Sequence, residues 1–495
     1  MNLDTIKQNL NKLGITAISD HVGYINTYKK WFEASVHKTE DIIYPKTSNQ
    51  TLTTVSATKT RDKYFLNPQK LIAKKFASLM FNENTEFLDA DKKAPEEVSK
   101  LQEIYTNNGF WQELEKQMLD VFGIGHKAIT VEYDTTGVCF NSYDASNIFP
   151  ITIINGQIIE CVFMSTRIIN GKTYTIFNVH LQKKGGQLVV NGKTPPLLRP
   201  TEQGYIIRNY AFDKNNKQVD LSTLGFSEMV KEYEMPCKMF VNFKPFNRNI
   251  DDLKCVNNAI GIPIYYDSLG TIKSIDETFD QMYLDIITSR RIITMSNKLI
   301  PKNEDGRPVI PTYAENILLI SSDTEQMAGE GSNKINEFAP TPKCEVYMKQ
   351  IQDSLNRLSV ECGLGTEEFL YGKGGIATAT QIISQNQEKF VSIKKHESTM
   401  SKEFINLNRA ILATLNMFEQ YNFNLLNPIG FKFQDSVIID DETRRQNALT
   451  EVQSGVRSKE RYVTEYSGLE GEELTAEIER VKAENTIPTF EGINA

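Results

Sequence analysis

Gly372-Lys373-Gly374-Gly375 is the stretch of this chain that comes nearest to a phosphate cradle. A nucleotide-gripping loop needs GxxxxGK followed by serine or threonine, because that hydroxyl ligates magnesium. Here glycine follows Lys373, so the hydroxyl ligand is missing and the loop reads as a hinge. Asp276, Glu277 and Asp280 are close enough in sequence to hold a metal, but such a cluster is more often one solvated helix face. Asn303-Glu304-Asp305-Gly306 lacks the alternating ligands of a calcium loop. No HExxH, GxSxG or CxxC occurs. Cys139, Cys161, Cys237, Cys255, Cys344 and Cys362 are far apart and read as reduced thiols, and the five histidines are equally scattered. The expectation is therefore a protein with no catalytic residues, metal or cofactor.

The elements that carry these residues follow from the hydrophobic period. The first 125 residues read as helical, with Trp111, Leu114, Met118, Leu119 and Phe122 forming one core-facing stripe before Gly123 and Gly125. From His126 to about Phe243 the period becomes two, and Asn155-Gly156, Asn170-Gly171 and Asn191-Gly192 mark turns of an antiparallel meander. After a polar linker, apolar residues at 265, 269, 272, 275, 279, 282 and 286 predict an amphipathic helix of roughly 25 residues, about 37 Å long. Its other face carries Lys273, Asp276, Glu277 and Asp280. Residues 291–342 are broken by Pro301, Pro308, Pro311, Pro340 and Pro342 into a small inserted module.

A second amphipathic helix follows at 343–362, then a loop with Gly363, Gly365, Gly372, Gly374 and Gly375. A very long polar helix begins near Ala377 or Thr378 and continues to about Tyr421, about 65 Å at 1.5 Å per residue, with a kink or change of partner near residue 400. Gly430 to Asp435 reads as a strand, and 440–484 as three short helices before a loose tail at 485–495. The fold class is α+β, mainly α.

Composition limits the function. The 495 residues are globular in make-up, 40% hydrophobic and 24% charged. The N-terminus lacks a signal-peptide layout and no apolar run reaches a bilayer-spanning length, so a cytoplasmic protein without membrane contact is expected. The net charge of −8 is poorly suited to gripping DNA, whose phosphates are bound by Lys and Arg, but an acidic wall can surround DNA without holding it. A polar helix of such length is better explained as a strut in an assembly than as the core of an enzyme.

The order helix, insert, helix, glycine loop, long helix resembles that of bacteriophage portal proteins of the siphophage type, the family of the SPP1 portal. Ile262 to Glu277 is similar to the family's first stem helix. Gly375-Ile-Ala-Thr-Ala-Thr-Gln-Ile-Ile-Ser384 is similar to the start of its long helix, with Gln381 where glutamate is commoner. Asp440-Asp-Glu-Thr-Arg-Arg-Gln446 and the charged stretch up to Glu484 resemble its crown. The likeness covers roughly 20–485.

The resemblance implies a homo-oligomeric ring, usually a dodecamer, at one capsid vertex, with assembly in the host cytoplasm. Double-stranded DNA passes its channel without sequence preference during packaging and ejection. The terminase and then a head-completion adaptor dock on it, and major capsid and scaffolding proteins surround it. The parts implied are a wing (1–250), a first stem helix (251–290), a clip (291–342), a second stem helix (343–362), a channel loop (363–377), a long wing helix and strand (378–436) and a crown (437–484). Gly363, Gly365, Tyr371, Gly372, Lys373, Gly374 and Gly375 are the expected DNA-facing loop residues. Lys273, Asp276, Glu277 and Asp280 are the expected stem polar face, and Lys302, Glu304, Asp305 and Arg307 the expected docking residues of the clip. Two other readings stay open at this point: another virion structural or connector protein, and an enzyme with an unrecognised site.

Overall fold

The computed structural model describes residues 3–33, 40–45, 56–61, 63–80, 86–89, 94–183, 204–221, 231–247, 259–289, 292–294, 303–305, 336–338, 340–366, 368–369 and 379–433, together with 448–452, 454, 458, 461–462 and 480. The chain forms two compact units, Met1–Gln434 and Asp435–Ala495. In the second unit, helical turns lie at 448–452 and 461–462.

The first unit opens with α1 (Leu3–Lys12) and α2 (His21–Phe32), a hairpin of β1 (Glu40–Pro45) and β2 (Ser56–Arg61), α3 (Pro68–Met80) and the short β3 (Glu86–Asp89). α4 (Pro95–Asn107) and α5 (Phe110–Ile124) follow. Pro68 and Pro95 each open a helix, where the missing N–H has no partner to lose. The predicted stripe of α5 is buried at Leu114, Met118 and Phe122, against Ile72 and Phe76 of α3 and Phe32 of α2.

The expected meander is present as two sheets. β4 (Lys127–Asp134) and β5 (Gly137–Asp144) join with β12 (Phe240–Phe243) in the order β12-β4-β5. The larger sheet contains β6 (Ile148–Ile154), β7 (Gln157–Ile169), β8 (Lys172–Gln182), β9 (Tyr205–Asp213) and β10 (Gln218–Val219), with β11 (Glu232–Met235) also paired to β9. Asn155-Gly156 and Asn170-Gly171 turn the chain between β6, β7 and β8, all four residues at positive φ as a tight I′ hairpin requires. Asn191-Gly192 lies outside the described residues. α1 covers this sheet, its Ile6 and Leu10 packed on Phe149, Val162, Phe177 and Phe212.

Then come α6 (Leu269–Thr288), the ribbon strands β13 (Ile292–Thr294) and β14 (Asn336–Phe338), α7 (Cys344–Glu361), α8 (Ala379–Phe418) and β15 (Ile429–Lys432). α8 is one continuous helix of 40 residues. Its C-terminal half is buried at Phe404, Leu407, Ile411 and Leu415, and Phe404 packs on Phe243 of β12 and Phe431 of β15. The strand expected after α8 finds its partner far back in the chain, pairing antiparallel with β3. A buried polar relay ties these parts: the Tyr105 hydroxyl donates to Asn408 Oδ1 at 2.6 Å, and Asn408 Nδ2 donates to the Ile429 carbonyl at 2.8 Å.

One helix is shorter than its periodicity predicts. α6 begins at Leu269, after a 3-10 turn at Tyr266–Ser268, and not at 262. The reason is tertiary. The Ile264 N–H is bonded to the Phe122 carbonyl of α5 and Gly261 abuts Gly125 just after it, so this stretch is held against the end of α5 and does not join the helix.

Candidate functional site

The root of α6 is a close backbone crossing. Gly125 has φ +105°, and a Cβ there would lie 2.4 Å from the Ile262 carbonyl carbon. A Cβ on Gly261 would lie 2.4 Å from the Gly125 carbonyl oxygen. Only glycine fits both places. The Ile264 N–H donates to the Phe122 carbonyl at 3.1 Å, and the buried Tyr265 hydroxyl donates to the Gly123 carbonyl at 2.6 Å. His126 Nδ1 accepts the Gly261 N–H at 3.4 Å, which leaves Nε2 as the donor to Asn242 Oδ1 at 3.2 Å. Nearby, His396 Nδ1 accepts the Phe246 N–H at 2.9 Å, its ring edge-on to Phe76 and Phe122. Burial drives the His126 pKa down to about 3, with Lys244 adding to the effect, and His396 down to about 4, with Lys395 adding. Both rings are neutral acceptors at neutral pH.

From this root α6 and α7 run antiparallel. Thr271, at the start of α6, donates its hydroxyl to Glu361 Oε2 at 3.0 Å, at the end of α7. At the other end the Lys343 N–H donates to Asp285 Oδ2 at 2.7 Å. Burial alone would raise the Glu361 carboxyl, but hydrogen bonds from Arg357, Ser268 and Thr271 outweigh it and hold it below the usual range. A groove of about 650 Å³ separates the helices, lined by residues including Lys63, Glu277, Gln281, Val346 and Tyr347. Beyond the pair, β13 and β14 form a three-residue antiparallel ribbon, Ile292 opposite Phe338, so the insert leaves and returns side by side.

The four polar residues of α6 do not share one solvated face in the protomer. Lys273 and Glu277 do, as a half-exposed pair 3.7 Å apart. Asp276 and Asp280 are each only 3% exposed. They are covered by the segment before α3: Asp276 Oδ1 accepts the N–H of Leu66 at 2.9 Å and of Asn67 at 3.3 Å, and Asp280 Oδ1 accepts that of Tyr64 at 3.0 Å. Tyr64 also stacks on Tyr283, ring centroids 4.3 Å apart. The expectation of a solvated acidic face is corrected for these two: they bind a strap of backbone.

The glycine loop divides likewise. Gly363 has φ +79° and Gly365 φ +81°. The Leu364 N–H reaches the Ser359 carbonyl at 2.9 Å and the Gly363 N–H the Val360 carbonyl at 3.0 Å, a Schellman cap that ends α7. A Cβ on Gly363 would sit 2.7 Å from Ser392 Oγ of α8. Gly363 therefore fixes the chain at the end of α7, where the sequence alone suggested a hinge along the whole loop. Tyr371, Gly372, Lys373, Gly374 and Gly375 lie outside the described residues. So do Lys302 and Arg307, while Glu304 and Asp305 are exposed on a turn.

Sequence reasoning missed the strap at 63–67, the glycine crossing and an ion-pair triad of Lys75, Glu368 and Lys389. For the crossing a signal was present, because Gly123 and Gly125 closely follow a strong apolar stripe, but it reads only as a helix stop.

An antiparallel helix pair thus runs from the mixed core to a short two-stranded ribbon. The chain belongs to the phage portal protein family, SPP1 Gp6-like, whose model matches residues 15–486, nearly the whole length. It is a phage portal protein, a component of a capsid that serves genome packaging. The family is structural and non-enzymatic. None of the curated proteins matches the chain significantly. Among the described residues no helix is long and apolar enough to cross a membrane.

Proposed function

We propose that α6 and α7 are the stem of this portal, the insert between them its clip, and the loop from Gly363 to Ile376 its channel loop. The carrying observation is the antiparallel α6–α7 pair, rooted in the core at one end and open to the ribbon and insert at the other. At that far end Tyr283, Ile286 and Ile287 of α6 and Val346 of α7 stay exposed. In a ring, a neighbouring protomer covers them. Residues 1–250, α8 and β15 form the wing, and 437–484 the crown. The ring, a dodecamer at one capsid vertex, surrounds double-stranded DNA; its clip docks the terminase during packaging and the head-completion adaptor afterwards. Major capsid and scaffolding proteins contact the wing.

Negative-stain images of the purified protein should show closed rings with a central hole. A stable protomer at every concentration would defeat the reading. Deleting 301–335, which spares the ribbon, should leave rings and abolish terminase and adaptor docking; normal docking would reassign the clip.

A further inference from the structure

We infer that Glu368 is a positioning residue for the channel loop, held as a latch between Lys75 of α3 and Lys389 of α8. This rests on the proposal that the loop faces DNA. Lys75 Nζ lies 2.7 Å from Glu368 Oε1, and Lys389 Nζ pairs with Oε2. The carboxylate has one lysine on each oxygen. The Glu368 side chain is 10% exposed, Lys389 17% and Lys75 37%, so solvent screens the inner pair little. Exposed pairs contribute almost nothing, but removing one partner of a sheltered pair leaves uncompensated charge. Here it would leave two ammonium groups facing each other.

The latch sits where the chain leaves the core. Gln352 Nε2 of α7 donates to the Phe369 carbonyl at 2.6 Å, Phe369 packs on the main core, and Gly363 abuts Ser392. The chain thus departs beside residue 389 and returns at Ala379, the start of α8. Those points are about 15 Å apart along a helix rising 1.5 Å per residue. Glu368 therefore fixes the place on α3 and α8 from which the loop sets out.

The test uses assembled rings without DNA and limited trypsin digestion. Lys373 is the one basic residue between Arg357 and Lys389, so cleavage after it is read cleanly by mass spectrometry. Glu368→Gln should raise the cleavage rate on the order of tenfold, the equivalent of about 1.4 kcal/mol. Lys389→Met should do the same, and the double variant should add little, because one interaction is lost in each case. If Glu368→Gln fails to form rings, Lys75→Met, on the more exposed side, carries the same test. A rate within twofold of wild type in intact rings overturns the latch. A raised rate with unchanged DNA packaged per prohead keeps the latch and removes the DNA-facing reading of the loop instead.

Discussion

The two ends of α6 are built differently. At the root, Tyr265, Ile264, Gly261 and His126 are hydrogen-bonded within the protomer, and two glycines let backbone touch backbone. At the tip, Tyr283, Ile286 and Ile287 remain exposed, and the Lys343 N–H before α7 donates to Asp285. Between them Asp276 and Asp280 fasten the strap. One end of α6 is thus fixed by backbone contacts to the core, and the other carries exposed apolar side chains, the surface that the proposed ring would cover.

The largest effect should come from the crossing. Gly125→Ala adds a Cβ at positive φ into the Ile262 backbone, which cannot move aside as a side chain can. We expect a loss of roughly 4–5 kcal/mol or no soluble protein, read by urea denaturation. A variant of wild-type stability would show the root to be plastic.

Acid should act next, and also at the root. His126 and His396 each use Nδ1 as an acceptor, so protonation turns it into a donor facing another donor. Their folded pKa values, about 3 and about 4, lie below the unfolded 6.5. The stability they hold is therefore complete above pH 6.5 and drains as pH falls toward 4 and 3. At pH 5 the loss is about 2 kcal/mol for each. His126→Gln, whose side-chain oxygen can still accept, should flatten part of the pH profile of thermal unfolding; an unchanged profile would place the acid-sensitive groups elsewhere.

The middle of the helix should respond less. Asp276→Ala strands two backbone N–H groups, at a cost of about 2 kcal/mol, and exposes the strap to amide exchange at Leu66 and Asn67. Slow exchange there in the variant would mean the strap is held without Asp276, by contacts such as Asp280 and the Tyr64–Tyr283 stack. At the tip, Ile286→Ser with Ile287→Ser should leave protomer stability within about 0.5 kcal/mol and yet reduce ring yield by light scattering. Full ring yield would show the tip to be finished without a neighbour.

What the sequence made legible was local. Asn-Gly pairs at 155 and 170 specify I′ turns by their own backbone preference, and the stripe on α5 needs only its own period. Partners distant in sequence were not legible. Asp276 and Asp280 look like a solvated face because a helical period shows polarity and not what covers it. Similarly, β15 carries no mark of β3, and Glu368 no mark of Lys75, since each meets its partner only after the intervening chain has folded. The histidines looked unrelated because they are scattered, yet two of them serve one root.

The ribbon of β13 and β14 has a consequence for how such proteins diversify. Because its strands hold the two ends of residues 295–335 together, the core is indifferent to how much chain lies between them. Doubling a closed loop costs only about 0.6 kcal/mol in chain entropy. That makes the position a graft point: the segment can be lengthened, trimmed or exchanged while the helices beneath keep their register.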